Sequence, residues 1–324
     1  MIRRPTIPLQ RLTQPAPDAL GPTWRDARPG RIARALAAAQ ARDPGGWYVV
    51  GASTDVGSRS VVRGPAGREV ALWRGPDAAL HAGPGACPHL GARLDGCATS
   101  GGDLLCRWHG MALPRDGGRG WAEYPARDDG VLVWVRLPAP GEEPAEGPVL
   151  PARPPLADSI AAVVALPATC EPRDVIANRL DPWHGAWLHP YAFSHLVVDD
   201  AASTDDRLVL DVAFRLNRTW GITVRAAFTT PDARTIVMTI LEGEGAGSVV
   251  ETHATPLGCD AHGLPRTMVT EATIAYSARG GFAAARRLSR AIVPLVRRSA
   301  RQLWADDLVY AERTYALRAG LPPG

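Results

Sequence analysis

The sequence predicts an α+β protein in two parts. An all-β N-terminal domain precedes a second domain in which antiparallel strands are followed by a long C-terminal helix. Three observations carry this reading. Between Trp47 and Leu137, runs such as WYVVGAS, REVALWRG and VLVWVRL alternate or run apolar between Gly, Pro and Asp clusters, the texture of short strands. Residues 138–155, PAPGEEPAEGPVLPARPP, hold seven prolines and no apolar periodicity, which marks an extended, semi-rigid linker and a domain boundary. Long strand candidates then give way to a helical pattern over 281–318, and strands followed by a terminal helix imply a helix packed over a sheet.

Taken in order, residues 1–30 are rich in Pro, Arg and Gly and read as an irregular lead-in. RIARALAAAQAR (31–42) is a short Ala-rich helix, ended by Asp43, Pro44 and Gly45. Residues 1–45 thus form an N-terminal extension, 46–137 the β domain, 138–155 the linker and 156–324 the second domain. In the last, IAAVVALPA (160–168) reads as a strand and residues 174–189 as a helix. Four strands follow: RLVLDVAFRLN, WGITVRAAFTT, RTIVMTILEG and TMVTEATIAYS. The third alternates, with Ile236, Met238 and Ile240 on one face. The terminal helix is expected to be interrupted at Pro294. No internal repeat is visible.

Composition excludes several functions. The chain has 324 residues, roughly two domains at about 150 residues each. Its net charge of +3 gives no bulk argument for nucleic acid. All 36 basic residues are arginine, so no P-loop lysine, pyridoxal Schiff base or lysine-dependent kinase site exists. The five cysteines are scattered and odd in number, unlike a secreted disulfide framework. The opening MIRRPTIPLQ has no apolar run behind its arginines and is not read as a signal peptide. The longest near-apolar stretch, Ile160 to Cys170, contains Pro167 and is too short to span a bilayer. A cytoplasmic protein without a transmembrane segment is expected.

Two constellations carry chemistry. The first is Cys87-x-His89 and Cys106-x2-His109, with Gly91 and Gly110 just after each half. Two thiolates and two imidazoles on two tight loops suit zinc or a two-iron cluster. Each loop offers one Cys and one His. That suits a Rieske centre, whose cysteines bind one iron and whose histidines bind the other; zinc sites more often pair like with like.

CPHLGA…CRWHG, with GWYVVGAS, ALWRG and DDGVLVWV around it, resembles the Rieske domain of ring-hydroxylating-type oxygenases over about residues 46–137. The resemblance implies a [2Fe-2S] cluster on Cys87, His89, Cys106 and His109. Respiratory Rieske proteins tie their loops with an extra disulfide; here Ala92 and Trp108 stand at those positions, so the oxygenase or ferredoxin class is implied. Cys97 lies off the pattern and reads as a buried free thiol.

The second constellation is Asn178-x2-Asp181-x2-His184-x4-His189. Histidines five apart lie about 140° apart around an ideal helix, so a small distortion at its end would bring both to one metal. Two imidazoles and one carboxylate make the facial triad of non-haem iron(II). NxxDxxHxxxxH resembles the iron-binding signature of Rieske oxygenase catalytic domains, which have a helix-grip (START-like) fold. The resemblance implies a third ligand from an acidic pair near the C-terminus, followed five residues on by a Glu. In LWADDLVYAERTY, Asp307 with Glu312 matches best and Asp306 is the alternative; the two point about 100° apart on a helix. By the same resemblance Asp181 is not a ligand but links His184 to His109 of a neighbouring subunit, and Asn178 sits close to the iron. Helix capping is the plain reading of Asn178.

These resemblances imply a terminal oxygenase component. Electrons pass from the cluster to a mononuclear Fe(II) that activates O2. The outcome is hydroxylation, demethylation, desaturation or cyclisation. With no GxGxxG after a strand and no plant-type ferredoxin cysteine run, the chain needs a separate ferredoxin or NAD(P)H-dependent reductase. A homo-oligomer, a trimer by resemblance, is implied. The apolar strands, with Ile236, Met238, Ile240, Trp220 and Phe228, favour a small hydrophobic substrate, although such residues are ordinarily core. Arginines 286, 287, 290, 297, 298 and 301 suit a partner or a membrane surface. The plainer expectation is a solvated helix face, with Leu288, Ile292 and Val296 turned to the core. The competing reading is an electron-transfer or ligand-binding Rieske protein without oxygenase activity.

Overall fold

The computed structural model describes residues 9–13, 23–114, 117, 118 and 120–321. Parts of the expected lead-in, residues 1–8 and 14–22, lie outside them. β1 (Leu9–Arg11) and α1 (Pro29–Gln40) come first. Ile32, Ala35, Leu36 and Ala39 of α1 repeat at helical spacing and pack into the core of the second domain.

The β domain comprises β2 (Trp47–Ala52), β3 (Val61–Arg63), β4 (Val70–Arg74), β5 (Leu80–Pro84), β6 (Ala98–Ser100), β7 (Asp103–Leu105), β8 (Ala112–Leu113), β9 (Ala126–Asp128) and β10 (Leu132–Arg136). They form three antiparallel sheets in the orders β2-β10-β9, β3-β4-β5 and β6-β7-β8. Trp73, Leu94, Leu104, Leu113 and Trp121 fill the core beneath the metal loops.

The second domain is one large antiparallel sheet. Its strands are β11 (Ile160–Ala168), β12 (Phe193–Val198), β13 (Arg207–Arg215), β14 (Trp220–Asp232), β15 (Thr235–Gly243), β16 (Val249–Cys259) and β17 (Pro265–Ala275). The order is β11-β17-β16-β15-β14-β13-β12, a meander closed by β11, with β1 added along β14. Sequence reasoning passed over β12 and β16. In β16, Pro256 and Gly258 mask the pattern at a register shift between β16 and β17.

The helix expected over 174–189 is two short helices, α2 (Pro172–Arg179) and α3 (His184–Leu188), separated by a turn at Asp181-Pro182. A proline cannot supply the N–H that a continuous helix needs there. The C-terminal helix also differs from expectation. The break falls at Leu288, between α4 (Phe282–Arg287) and α5 (Ser289–Arg318), and Pro294 lies inside α5. Leu288 is not turned to the core; it is exposed. The buried face of α5 is Ala300, Trp304, Ala311 and Tyr315, packed on β11, β16 and β17. Burying one such large side chain contributes roughly 2–3 kcal/mol.

The two domains share a core. Trp47, Val49, Leu132 and Trp134 pack against Val237, Val249, Ala272 and Ile274. The proline-rich segment runs along this seam. Its Arg153 clasps buried Glu251 through Nε (2.5 Å) and Nη2 (2.6 Å) and reaches Asp129 at 2.8 Å. Asp129 also accepts from the Trp134 indole at 2.7 Å. Burial works against charge on Glu251 and Asp129, but the bonds from Arg153 overrule it and hold both carboxyls below their ordinary values.

Candidate metal centres

The first centre stands on two loops of near-equal construction. In one, Cys87 N–H donates to the Ala92 carbonyl and Gly91 N–H donates back to the Cys87 carbonyl, both at 2.8 Å. In the other, Cys106 N–H donates to Met111 at 2.9 Å and Gly110 N–H donates to Cys106 at 2.8 Å. Each loop closes through a glycine four residues after its cysteine, at φ +73° for Gly91 and +68° for Gly110. That region suits glycine because no Cβ meets the following carbonyl. Both sulfurs are buried, whereas His89 and His109 sit at the exposed tips with rings 5.1 Å apart. Leu90 and Trp108 flank them, also exposed.

This arrangement fits a two-iron cluster. Burial and the neighbouring Cys106 push the Cys87 thiol up, so two bare thiolates are disfavoured there and cations relieve them. Ala92 and Trp108 leave no thiols to tie the loops, and Cys97 is a buried free cysteine.

The second centre is assembled from α2, α3 and α5. His184 opens α3, and His189 follows its last residue at φ −119°, ψ 50°, out of helical conformation. That departure turns its ring toward His184, with centroids 5.5 Å apart. Asp307 comes down from α5, and its Oδ1 lies 3.0 Å from His184 Nε2 and 2.8 Å from His189 Nε2. Ligand atoms of the three lie within 4.8 Å of one another. Asp307 is buried, but the two imidazoles overrule burial and hold its carboxyl well below the usual range. His184 Nδ1 is buried with no hydrogen-bond partner. Three converging ligands, one of which lacks its outer partner, suit a divalent metal.

The other predicted residues fall around this group. Asp306 is not part of it; it accepts from the Tyr191 hydroxyl at 2.6 Å. Glu312 accepts from Thr169 N–H at 2.7 Å and takes no part either. Asn178 lies in the last turn of α2, not at a cap, and its amide approaches Asp307 Oδ1 at 3.4 Å. Asp181 Oδ2 lies 4.0 Å from His184 Nδ1 and accepts from Tyr310 at 3.3 Å, while its Oδ1 is buried and unpartnered. Burial pushes the Asp181 carboxyl up, opposed by His184. Burial and Asp181 push the Tyr310 phenol up to about 12, so it remains a donor near neutral pH.

A cavity of about 530 Å³ opens beside the ligand group. Phe228 and Met238 line it, as do Leu210, Val212 and Phe214. Ile236 is buried in the adjoining core, and Trp220 is exposed away from the cavity. From α5, Leu295, Val296 and Arg298 border it. Arg179, Glu271, Tyr191, Trp304 and Tyr310 were missed by sequence reasoning. None stands at a motif spacing, and only folding brings them to the site.

A β domain that presents two Cys-His loops of Rieske pattern is joined to a sheet-and-helix domain that gathers two histidines and an aspartate. Comparison with known proteins agrees. A family model described as "Rieske [2Fe-2S] domain" matches residues 46–133, and one described as "Domain of unknown function (DUF5914)" matches residues 139–321. The chain belongs to the DUF5914 family and carries a Rieske [2Fe-2S] domain ahead of it. Among curated proteins it is similar to the vanillate O-demethylase oxygenase subunit of Pseudomonas sp. (strain HR199 / DSM 7063), at 24% identity over 170 residues, 48% of this chain and 47% of that protein. It is also similar to oxidoreductase NdmD of Pseudomonas putida, at 26% identity over 117 residues, 30% of this chain and 20% of that protein. The chain thus spans half or less of the length of these relatives. Among solved structures it resembles dicamba monooxygenase bound to dicamba, with TM-score 0.57 and 16% identity, covering 87% of this chain and 91% of that one. It likewise resembles the terminal oxygenase of carbazole 1,9a-dioxygenase from Novosphingobium sp. KA1, with TM-score 0.55 and 15% identity, covering 91% and 89%. These likenesses are of fold. Among the described residues no helix is long and apolar enough to cross a membrane.

Proposed function

We propose that this chain is the terminal oxygenase of a multicomponent system and oxidises a small, largely apolar molecule with dioxygen. The observation that carries this reading is the meeting of His184, His189 and Asp307 at the wall of an apolar cavity. When bound, the [2Fe-2S] cluster supplies electrons singly and the mononuclear Fe(II) supplies open positions for O2. The protein's own groups do the rest. His184, His189 and Asp307 would hold the metal beside the cavity. The Asn178 amide steadies the Asp307 carboxylate. Asp181, fed a hydrogen bond by Tyr310, stands ready to accept from His184 Nδ1. Leu210, Val212, Phe214, Phe228 and Met238 give the cavity an apolar wall.

The exposed placement of His89 and His109 supports electron delivery to another subunit. Both rings are exposed, and Asp181 of the receiving chain is the group that would meet His109. A homotrimer, a separate ferredoxin or NAD(P)H-dependent reductase, and a cytoplasmic setting accompany this proposal. Hydroxylation, demethylation, desaturation and cyclisation are the candidate outcomes.

Metal analysis with a product screen tests the reading. A red-brown protein holding one iron beyond the cluster pair is expected. Mass spectrometry of extracts incubated with the protein, a reductant and O2 should show a shift of one oxygen, two hydrogens or one methyl. Cluster iron alone, with no product, would return the protein to an electron carrier.

A further inference from the structure

We propose that Arg179 and Glu271 form a polar end of the cavity that selects substrates apolar except for one neutral oxygen, a carbonyl or hydroxyl that accepts from the Arg179 guanidinium. This deepens the reading of the cavity as the substrate site and rests on it.

Arg179 is the last residue of α2, next to Asn178. Where Asn178 faces Asp307, Arg179 borders the cavity. Its guanidinium carbon lies 5.6 Å from the Phe228 ring centroid and 5.8 Å from that of Trp304. Two aromatic rings hold the plane of the guanidinium and shield it from water. No described residue accepts a hydrogen bond from it, and its Nε is buried without a partner. A guanidinium stays charged and has five N–H donors, so unused donors beside a cavity call for an acceptor.

Glu271 of β17 also borders the cavity and is buried. One of its oxygens accepts from the Trp304 indole at 2.8 Å, which fixes the carboxyl near the arginine without a direct ion pair among the described residues. A carboxylate entering here would meet Arg179 but also Glu271 and the nearby Asp307; an ammonium would meet Arg179. A neutral oxygen takes the Arg179 donors without either conflict, and a hydroxyl can return a proton to Glu271. Leu210, Val212, Phe214 and Met238 accept the apolar body; Arg215, which donates to the Phe193 carbonyl at 3.1 Å, and Arg298 also border the cavity.

Calorimetric titration of the holoprotein with four ten-carbon probes tests this: 2-decanone, 1-decanol, decanoate and decylammonium. The ketone and alcohol are expected to bind at least about tenfold more tightly than either charged probe. Arg179→Met, which keeps a long apolar stem between the rings, should weaken the ketone and alcohol by roughly ten- to a hundredfold. Arg179→Lys keeps the charge but loses the planar fork and should fall between. Glu271→Gln should leave ketone affinity within about twofold and strengthen decanoate. Iron content and thermal midpoint, measured on each variant, show that the fold and metal centres persist. Ketone affinity unchanged in both Arg179 variants, or decanoate as the tightest probe of the native protein, overturns the inference. So does a native protein that binds no ketone. A native protein that binds the ketone but holds no iron beyond its cluster overturns the metal reading instead.

Discussion

His189 Nε2 and Asp307 Oδ1 lie 2.8 Å apart although 118 residues separate them in sequence. With His184 they close a three-residue group that could hold a metal, and Asp307 meets both imidazoles through one oxygen. Asp307→Ala is expected to lose the mononuclear iron and all O2-dependent turnover while it keeps the cluster and its EPR signal. Asp306→Ala removes the acceptor of Tyr191 and the carboxylate 3.5 Å from His189 Nδ1, but no member of the three-residue group, and should retain the iron. Iron analysis of the two variants side by side checks the assignment; equal iron contents would refute it.

Asp181 offers a different signature. Its Oδ1 is buried without a partner, and its other oxygen lies near both His184 and Tyr310. Asp181→Asn keeps the shape but gives up the acceptor charge. Metal contents should be unchanged, while the rate at which O2 reoxidises a chemically reduced cluster falls by roughly ten- to a hundredfold. Stopped-flow absorbance of the cluster reads this rate, and an unaltered rate would argue against a coupling role.

The cysteines divide by position. Cys106 shares the cluster loops, whereas Cys97 is a buried thiol in the packing beneath them. Cys106→Ala should give a protein without the cluster's visible absorption. Cys97→Ala should keep the spectrum and lose about 1 kcal/mol of stability or somewhat more, the cost of a small cavity. A spectrum and a denaturation curve for each variant decide this.

Arg153 pairs with both Glu251 and Asp129 at the domain seam, all three being buried or nearly so, and His253 Nε2 lies 3.3 Å from Glu251. Arg153→Ala leaves those carboxylates without their partner and should cost about 3–5 kcal/mol. Glu251 and Asp129 titrate below their ordinary values of 4.5 and 3.8 when the arginine is present. Groups of depressed pKa stabilise the fold above the unfolded value, and that contribution is lost as pH falls through the folded value. The native advantage over Arg153→Ala is therefore expected in full at pH 7, shrinking on acidification below about pH 4.5. Urea denaturation at several pH values measures it.

The cluster loops were legible because their chemistry is local. Cys87 and His89 are two residues apart, Cys106 and His109 three, and each loop ends on a glycine that the left-handed turn requires. The helix at 174–189 was legible as helical residues but not as two helices. Pro182 splits it, and the split brings Asp181 near His184 while Asn178 approaches Asp307. Pro294 was read as a break and is not one; the chain turns instead at exposed Leu288. Arg153 sat unnoticed in a proline-rich stretch because its partners, Asp129 and Glu251, belong to different domains.

Short spacings settled in the sequence itself what a few consecutive residues can do: both Cys-His loops, the His184–His189 pair and the alternation of the strands. Choosing Asp307 over Asp306 needed the tertiary structure, because adjacent helical residues point about 100° apart and only the docking of α5 decides which one turns inward. The same holds for Arg179 beneath Phe228 and Trp304, and for Glu271 beside it. Contacts between α2, α5 and β17 depend on how distant elements pack, and one sequence read along its length carries no spacing that reports them.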